Sequence, residues 1–237
     1  MSGVILAPYL TGARDPQRKG VTYKPNQYDL IQGWYESVVE HDLFGVVFHT
    51  ECSQEWIEKH FDPAHVDFVK VTPRKRSCND YRFIIYETWV KRYGKHFDYL
   101  LMTDLFDITF YGDPFSFMRA HDHRYYGAST RTAQGLKRKA YYKLIYKQRL
   151  PETRPYIIGC CVGGPMDDMR ELLAAMGKDW PRVPRGLNVN QSVLNKNAWE
   201  LFGEDKIWLD EPFIHDAIRG HREKKAMVVH RHYLKDQ

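Results

Sequence analysis

The sequence predicts an α/β protein built on a mostly parallel, doubly wound sheet flanked by helices. Short apolar runs recur up to Thr103, each bounded by turn-forming or charged residues. Between them lie segments with apolar residues at helical spacing. That alternation is the pattern of strand–helix–strand crossovers. In such sheets ligands bind outside the carboxyl ends of the strands, so charged residues at strand ends are where function is sought.

"GVILAPYL" reads as a buried first strand ending at Pro8, followed by a polar loop, "TGARDPQRKG". Tyr28, Ile31, Tyr35 and Val38 form one face of a helix over residues 28–40. "FGVVFHT" is a second strand, and "SQEWIEKHF" a helix capped by Ser53. "VDFVKVT" is a third strand; "SCNDYRFIIYETWVKRYG" is a helix closed by Gly94. "FDYLLMT" is the fourth strand. Beyond residue 118 the pattern is less regular. "YIIGCCVGGP" reads as a strand and "MDDMRELLAAMG" as a helix ending at Gly177. "NVNQSVLNKNAWELFG" reads as a further helix, and "KKAMVVHRHYLKDQ" as a late strand carrying His230 and His232.

With 237 residues, 43% of them hydrophobic, the chain can bury the core of one α/β domain. Aromatics at 14% exclude a disordered or low-complexity chain. A net charge of +5 suits anionic ligands such as phosphates or nucleic acid without selecting one. The cysteines, Cys52, Cys78, Cys160 and Cys161, lack C-x-x-C spacing, so reduced thiols rather than a zinc site are expected. The start of the chain has no charged leader, and its apolar run is too short to span a membrane. The expectation is a soluble, cytoplasmic protein with no transmembrane segment.

The fourth strand stops on Asp104, with Asp107 three residues on, before Ile108 and Phe110 resume the apolar pattern and "GDP" makes a turn. Two neighbouring carboxylates repel and are most easily kept ionised by a cation. Oxygen ligands of this kind suit Mg²⁺ or Mn²⁺ completed by phosphate oxygens. The same residues can instead end a strand and cap a turn, because D-x-x-D alone is a weak pattern.

"LLMTDLFDITFYGDPF" resembles the acidic-motif strand of nucleotide-sugar glycosyltransferases of the GT-A fold, a Rossmann-like architecture. There a hydrophobic strand ends in D-x-D or a D-x-x-D variant, then a short strand and an aspartate–proline–aromatic turn. Further segments resemble the family in order. "NDYRFIIYETWV" is similar to the helix whose arginine reaches toward the donor, and "YIIGCCVGGP" to the strand behind the donor sugar. "NVNQSVLN" is similar to the D-Q-x-x-L-N segment, and "AMVVHRH" to the late strand whose histidine completes the metal site.

The resemblance implies one GT-A-like domain over 1–237, with a nucleotide-sugar and metal half over 1–118 and an acceptor-side half over 119–237. It implies Mn²⁺ or Mg²⁺ held by Asp104, Asp107 and a histidine. His230 and His232 point the same way in a strand, and His230 is favoured because it follows the apolar run directly. Arg14, Asp15 and Arg18, after the first strand, would meet the base, ribose or diphosphate of a UDP- or GDP-sugar. Asn79, Arg82, Gly163 and Gly164 would add donor contacts. Asp107, Asn190, Gln191 and Asp168 are the candidate catalytic residues. Asn190 stands where the family often has an aspartate and cannot act as a base; Asp167, Asp168, Asp210 and Glu211 are alternative acceptor-side acids.

The basic stretch "LKRKAYYKLIYKQRLPETR" reads as a helix with Tyr141, Leu144 and Ile145 toward the core and lysines in water. Alternatively it grips an acidic acceptor. The expected activity is transfer of a sugar to a hydroxyl of a glycan, a protein or a nucleic acid. Two other readings stand beside it. A nucleotidyltransferase making nucleotide sugars would need a glycine-rich triphosphate loop that "TGARDPQRKG" lacks. A basic nucleic-acid-binding module would need binding that is independent of the acids.

Overall fold

The computed structural model describes residues 2–12, 14–15, 21–72, 76–130, 136–148, 154–184, 187–216 and 226–230; for residues 14, 15, 21, 130, 136–139 and 216 it describes the backbone alone. In chain order the elements begin with β1 (Gly3–Tyr9), a two-strand hairpin β2 (Arg14–Asp15) and β3 (Val21–Thr22), and α1 (Tyr28–Glu40). Then come β4 (Gly45–His49), α2 (Gln54–His60), β5 (Val66–Lys70), α3 (Cys78–Tyr93) and β6 (Tyr99–Thr103). After these lie β7 (Ile108–Phe110), α4 (Pro114–Ala120), β8 (Tyr125–Thr130), α5 (Leu136–Tyr146) and β9 (Tyr156–Pro165). The last are α6 (Met166–Asp179), α7 (Asn190–Phe202), β10 (Ile207–Leu209), β11 (Ile214–Asp216) and β12 (Val228–His230).

Seven strands form the main sheet in the order β10-β8-β9-β6-β1-β4-β5. β1 runs parallel to β4 and β6, and β4 parallel to β5. β9 alone is reversed, antiparallel to both β6 and β8, which gives the expected mostly parallel α/β sheet. Strands from both sides of residue 118 share this sheet, so the chain is not divided there into separate layers or separate cores.

Because both faces are covered, the central strands read as continuous apolar runs. Alternate residues of β1 serve opposite cores. Val4 and Leu6 pack with α3, α6 and α7, while Ile5, Ala7 and Tyr9 pack with α1 and α4. A second sheet, β11-β12-β7, lies over the latter face and contributes Ile108, Phe110, Ile214 and Val228 to its core.

Local chemistry accounts for the helix starts. Ser53 accepts the Trp56 amide at 3.3 Å and Ser77 accepts the Asp80 amide at 3.3 Å. Each such cap contributes about 1 kcal/mol. Gly94 closes α3 as expected, with a right-handed backbone (φ −57°) that opens a 3₁₀ turn. Two expectations need correction. α6 continues through Gly177, where a Cβ would stand 2.7 Å from the Glu87 carboxylate; the glycine lets α6 close on α3. In α5, Tyr142 and Ile145 are buried while Leu144 is 48% exposed, so the buried stripe includes Tyr142 in place of Leu144. No helix among the described residues is long and apolar enough to cross a membrane.

A candidate metal centre

β6 is a central strand of the main sheet, and its carboxyl end delivers Asp104 to the rim. The Asp104 amide continues the pairing by donating to the Cys160 carbonyl at 2.7 Å. Leu105 then turns into the core, 2% exposed. That anchors the bend between β6 and β7 and leaves Asp107 buried at the start of β7. β12 pairs antiparallel with β7 so that His230 lies opposite Ile108, next to Asp107. The structure thereby gathers Asp104, Asp107 and His230 with ligand atoms all within 4.8 Å of one another. His230 Nε2 is 3.4 Å from Asp107 Oδ2 and 3.9 Å from Asp104 Oδ2.

Ligands about 2.1 Å from a metal stand about 3 Å apart when adjacent and about 4 Å when opposite. The two distances from His230 fall in that interval, so the group can hold a metal ion. Asp107 and His230 are almost fully buried; Asp104 is partly open, its side chain 28% exposed. One side of the cluster therefore remains accessible.

Arg82, on α3, completes the surroundings. Nη1 donates to Asp104 Oδ1 and Nη2 donates to the Gly159 carbonyl at 2.6 Å. Burial pushes the Asp104 carboxyl above the usual carboxylate range, and the charge of Asp107 adds to that push. Arg82 and His230 pull the other way without cancelling it. For Arg82, burial alone would lower the pKa, but the Asp104 carboxylate beside it overcomes this and keeps the guanidinium charged. Asp104 and Asp107 bring two carboxylates close together, and a cation held between them would relieve their repulsion.

The remaining sequence candidates fall in different places. Arg14 and Asp15 form β2, whose backbone lies against α3; Arg18 and His232 lie outside the described residues. Asn79 lies on the first turn of α3, ahead of Arg82. Asn190, 1% exposed, opens α7; its side chain donates to Asn188 Oδ1 at 2.9 Å, and Gln191 follows it. The Asp80 carboxylate, two residues before Arg82, accepts the amides of Val189 at 3.0 Å and Asn190 at 2.7 Å. α3 therefore ties the start of α7 to the helical turn that reaches Asp104.

Asp168, Gly163 and Gly164 are not brought to the centre. β9 runs opposite to β6, pairing Thr103 with Cys161 but Tyr99 with Pro165. Asp168, which follows Pro165 on α6, therefore lies at the other end of the sheet, where it pairs with Arg124 at 2.7 Å. Gly163 pairs with Leu101, and a Cβ there would meet Met118 at 2.6 Å and Leu101 at 2.7 Å. Gly164 is crowded by Met169 and the Arg124 carbonyl. These two glycines answer to packing. The β9 residues at the centre are Gly159 and Cys160, through their carbonyls, and a glycine three residues into an apolar strand was the signal for them.

No family model and no curated protein sequence matches this chain. The molecule is an α/β protein with a seven-strand, mostly parallel sheet and a buried Asp–Asp–His group at its carboxyl rim that can hold a metal ion.

Proposed function

We propose that the chain is a metal-dependent glycosyltransferase that moves a sugar from a nucleoside diphosphate sugar to a hydroxyl of a glycan, protein or nucleic-acid acceptor. The observation that carries this reading is the convergence of Asp104, Asp107 and His230 at the carboxyl end of a central parallel strand. That is where a doubly wound sheet binds its ligand. Their donor set, two carboxylate oxygens and one imidazole, suits Mn²⁺ or Mg²⁺ and leaves coordination positions for diphosphate oxygens. When bound, such an ion supplies Lewis-acid stabilisation of the charge that develops on the leaving diphosphate.

The chain's own residues orient the reactants. Arg82 takes one oxygen of Asp104, so the carboxylate turns its other oxygen toward His230. Asp80 fixes the first turn of α7, with Asn190 and Gln191, beside the helical turn carrying Arg82. β2, with Arg14 and Asp15, lies against the same helix and offers the nucleoside a wall. The exposed Lys143 and Lys147 around the end of α5 offer a basic surface to an acidic acceptor.

The test is a thermal-shift panel of UDP- and GDP-sugars with and without Mn²⁺, run beside Asp104→Asn. Binding to the folded state raises its melting temperature, and a ligand at 100 times Kd stabilises by about 2.7 kcal/mol. The expected result is a donor-dependent shift that requires Mn²⁺ and is lost in Asp104→Asn. Donor hydrolysis persisting in excess chelator would refute the assignment.

A further inference from the structure

The stretch that holds α5 carries charge of one sign only. Residues 136–149 include Lys137, Arg138, Lys139, Lys143, Lys147 and Arg149, and no acid. Lys143 and Lys147 are exposed and form no ion pair with any described residue. By contrast, Lys91 lies 2.6 Å from Glu87 and Lys206 2.8 Å from Asp122.

The helix is fixed by its inner side. Tyr142 and Ile145 are buried, and Tyr146 donates to Asp179 of α6 at 2.9 Å, with the Lys196 ammonium of α7 5.2 Å from its ring centre. The outer side shows Ala140, Lys143, Leu144 and Lys147, at the spacing of one helical face. Lys147 follows the last helical residue, and its amide donates to the Lys143 carbonyl at 2.9 Å, which holds it one turn beyond Lys143. Between these lysines Leu144, 48% exposed, is the most exposed large aliphatic side chain among the described residues. A nucleic acid would meet the lysines but make no use of Leu144, and Tyr142 and Tyr146, the rings that could stack on bases, are turned inward. An anionic lipid surface meets both chemistries at once. Lysine stems lie along the acyl boundary with their ammonium groups at the phosphates, and a leucine between them enters the boundary itself.

We propose that the outer face of α5 docks the protein on anionic membrane surfaces, with Leu144 in the acyl boundary and Lys143 and Lys147 at the headgroup phosphates. No described helix crosses a membrane, so the contact is peripheral and reversible. Each basic residue near an anionic leaflet strengthens binding about fivefold. Burying the exposed half of one leucine contributes a similar factor, about fivefold. The proposal does not depend on how the metal centre is read.

The experiment is co-sedimentation of the full chain with vesicles of phosphatidylcholine alone, or mixed equally with phosphatidylglycerol. The wild-type protein is expected to bind the anionic vesicles at least about tenfold more tightly. It should be released as salt rises from about 0.1 M to about 1 M and the Debye length falls from about 10 Å to about 3 Å. Lys143→Gln combined with Lys147→Gln should weaken binding about 25-fold, and Leu144→Gln about fivefold. Thermal melts of both variants, whose changes lie on the exposed side, are expected to match wild type. Equal wild-type binding to the two kinds of vesicle overturns the proposal, as does binding to neither. A folded variant of either kind that binds anionic vesicles as wild type does overturns the assignment to this face of α5. Retention on single-stranded RNA without binding to anionic vesicles makes nucleic acid the partner and overturns the proposal too.

Discussion

His230 Nε2 lies 3.4 Å from Asp107 Oδ2, brought there by the antiparallel pairing of β12 with β7. The contact depends on register: a one-residue slip of β12 would turn the imidazole to the other face of the small sheet. His230→Ala is expected to weaken Mn²⁺ binding by more than the ~10–100-fold typical of losing an outer-shell partner. Isothermal titration at fixed diphosphate concentration measures this, and unchanged affinity would remove His230 from the ligand set.

Two glycines of β9 should respond differently to alanine. Gly159→Ala crowds Arg82 Nη2, which is held on two sides, and is expected to cost about 1–3 kcal/mol while shifting Mn²⁺ affinity. Gly163→Ala meets the Leu100 carbonyl at 2.8 Å as well as Leu101 and Met118, so its cost should be larger and purely one of stability. Urea denaturation paired with a Mn²⁺ titration of each folded variant separates the two effects.

Asp80 links α3 to α7 and sets a pH signature. Burial pushes its carboxyl up to about 6, against the amides of Val189 and Asn190 and the charges of Arg76 and Arg82. An acid with a raised folded pKa binds its proton more tightly when folded. Its stabilising contribution is therefore full below about pH 4 and is lost as pH rises through about 6, a swing on the order of 3 kcal/mol. Asp80→Asn should flatten that slope in denaturation curves between pH 4 and 7, and an unaltered slope would refute the assignment. Asp80→Ala should cost about 2 kcal/mol or more at all these pH values, because two helix amides lose their acceptor.

α5 is fastened by a buried acid of α6. Asp179 accepts hydrogen bonds from Tyr146 and Asn197, each at 2.9 Å, and lies 3.7 Å from Lys196. Tyr146→Phe should cost about 1 kcal/mol. Asp179→Ala, which removes the acceptor of Tyr146 and Asn197 and the buried counter-charge of Lys196, should cost about 3 kcal/mol or more. Leu144→Lys on the exposed side of the same helix should change stability by less than about 0.5 kcal/mol. Thermal melts of the three variants give the order directly.

The parallel half of the sheet is legible because strands buried on both faces leave unbroken apolar runs, such as that of β1, and because Ser53 marks a helix start; the cap of α3, Ser77, emerges only in the structure. The second half was harder to read. β8 ("YYGAST"), β10 and β11 are short or mix small and polar residues, and they become strands through pairing with neighbours already in place. Helical spacing from Tyr141 puts Leu144 toward the core; the rotation of α5 about its axis, set by Tyr142, Ile145 and Tyr146, puts it in water instead. Asp168, Gly163 and Gly164 enter the site reading only through the resemblance, and the antiparallel run of β9 against β6 carries them toward or to the opposite end.

The sequence by itself determined the α/β alternation and the place where β6 stops on Asp104 with Asp107 close behind. Both follow from local chemistry, since apolar runs bury and charged residues end them. Tertiary structure decided that His230 joins those acids, that Arg82 rests on Asp104, and that Asp168 lies far away. Those relations depend on strand order, direction and register. They arise only when distant segments close on one another to bury both faces of the sheet.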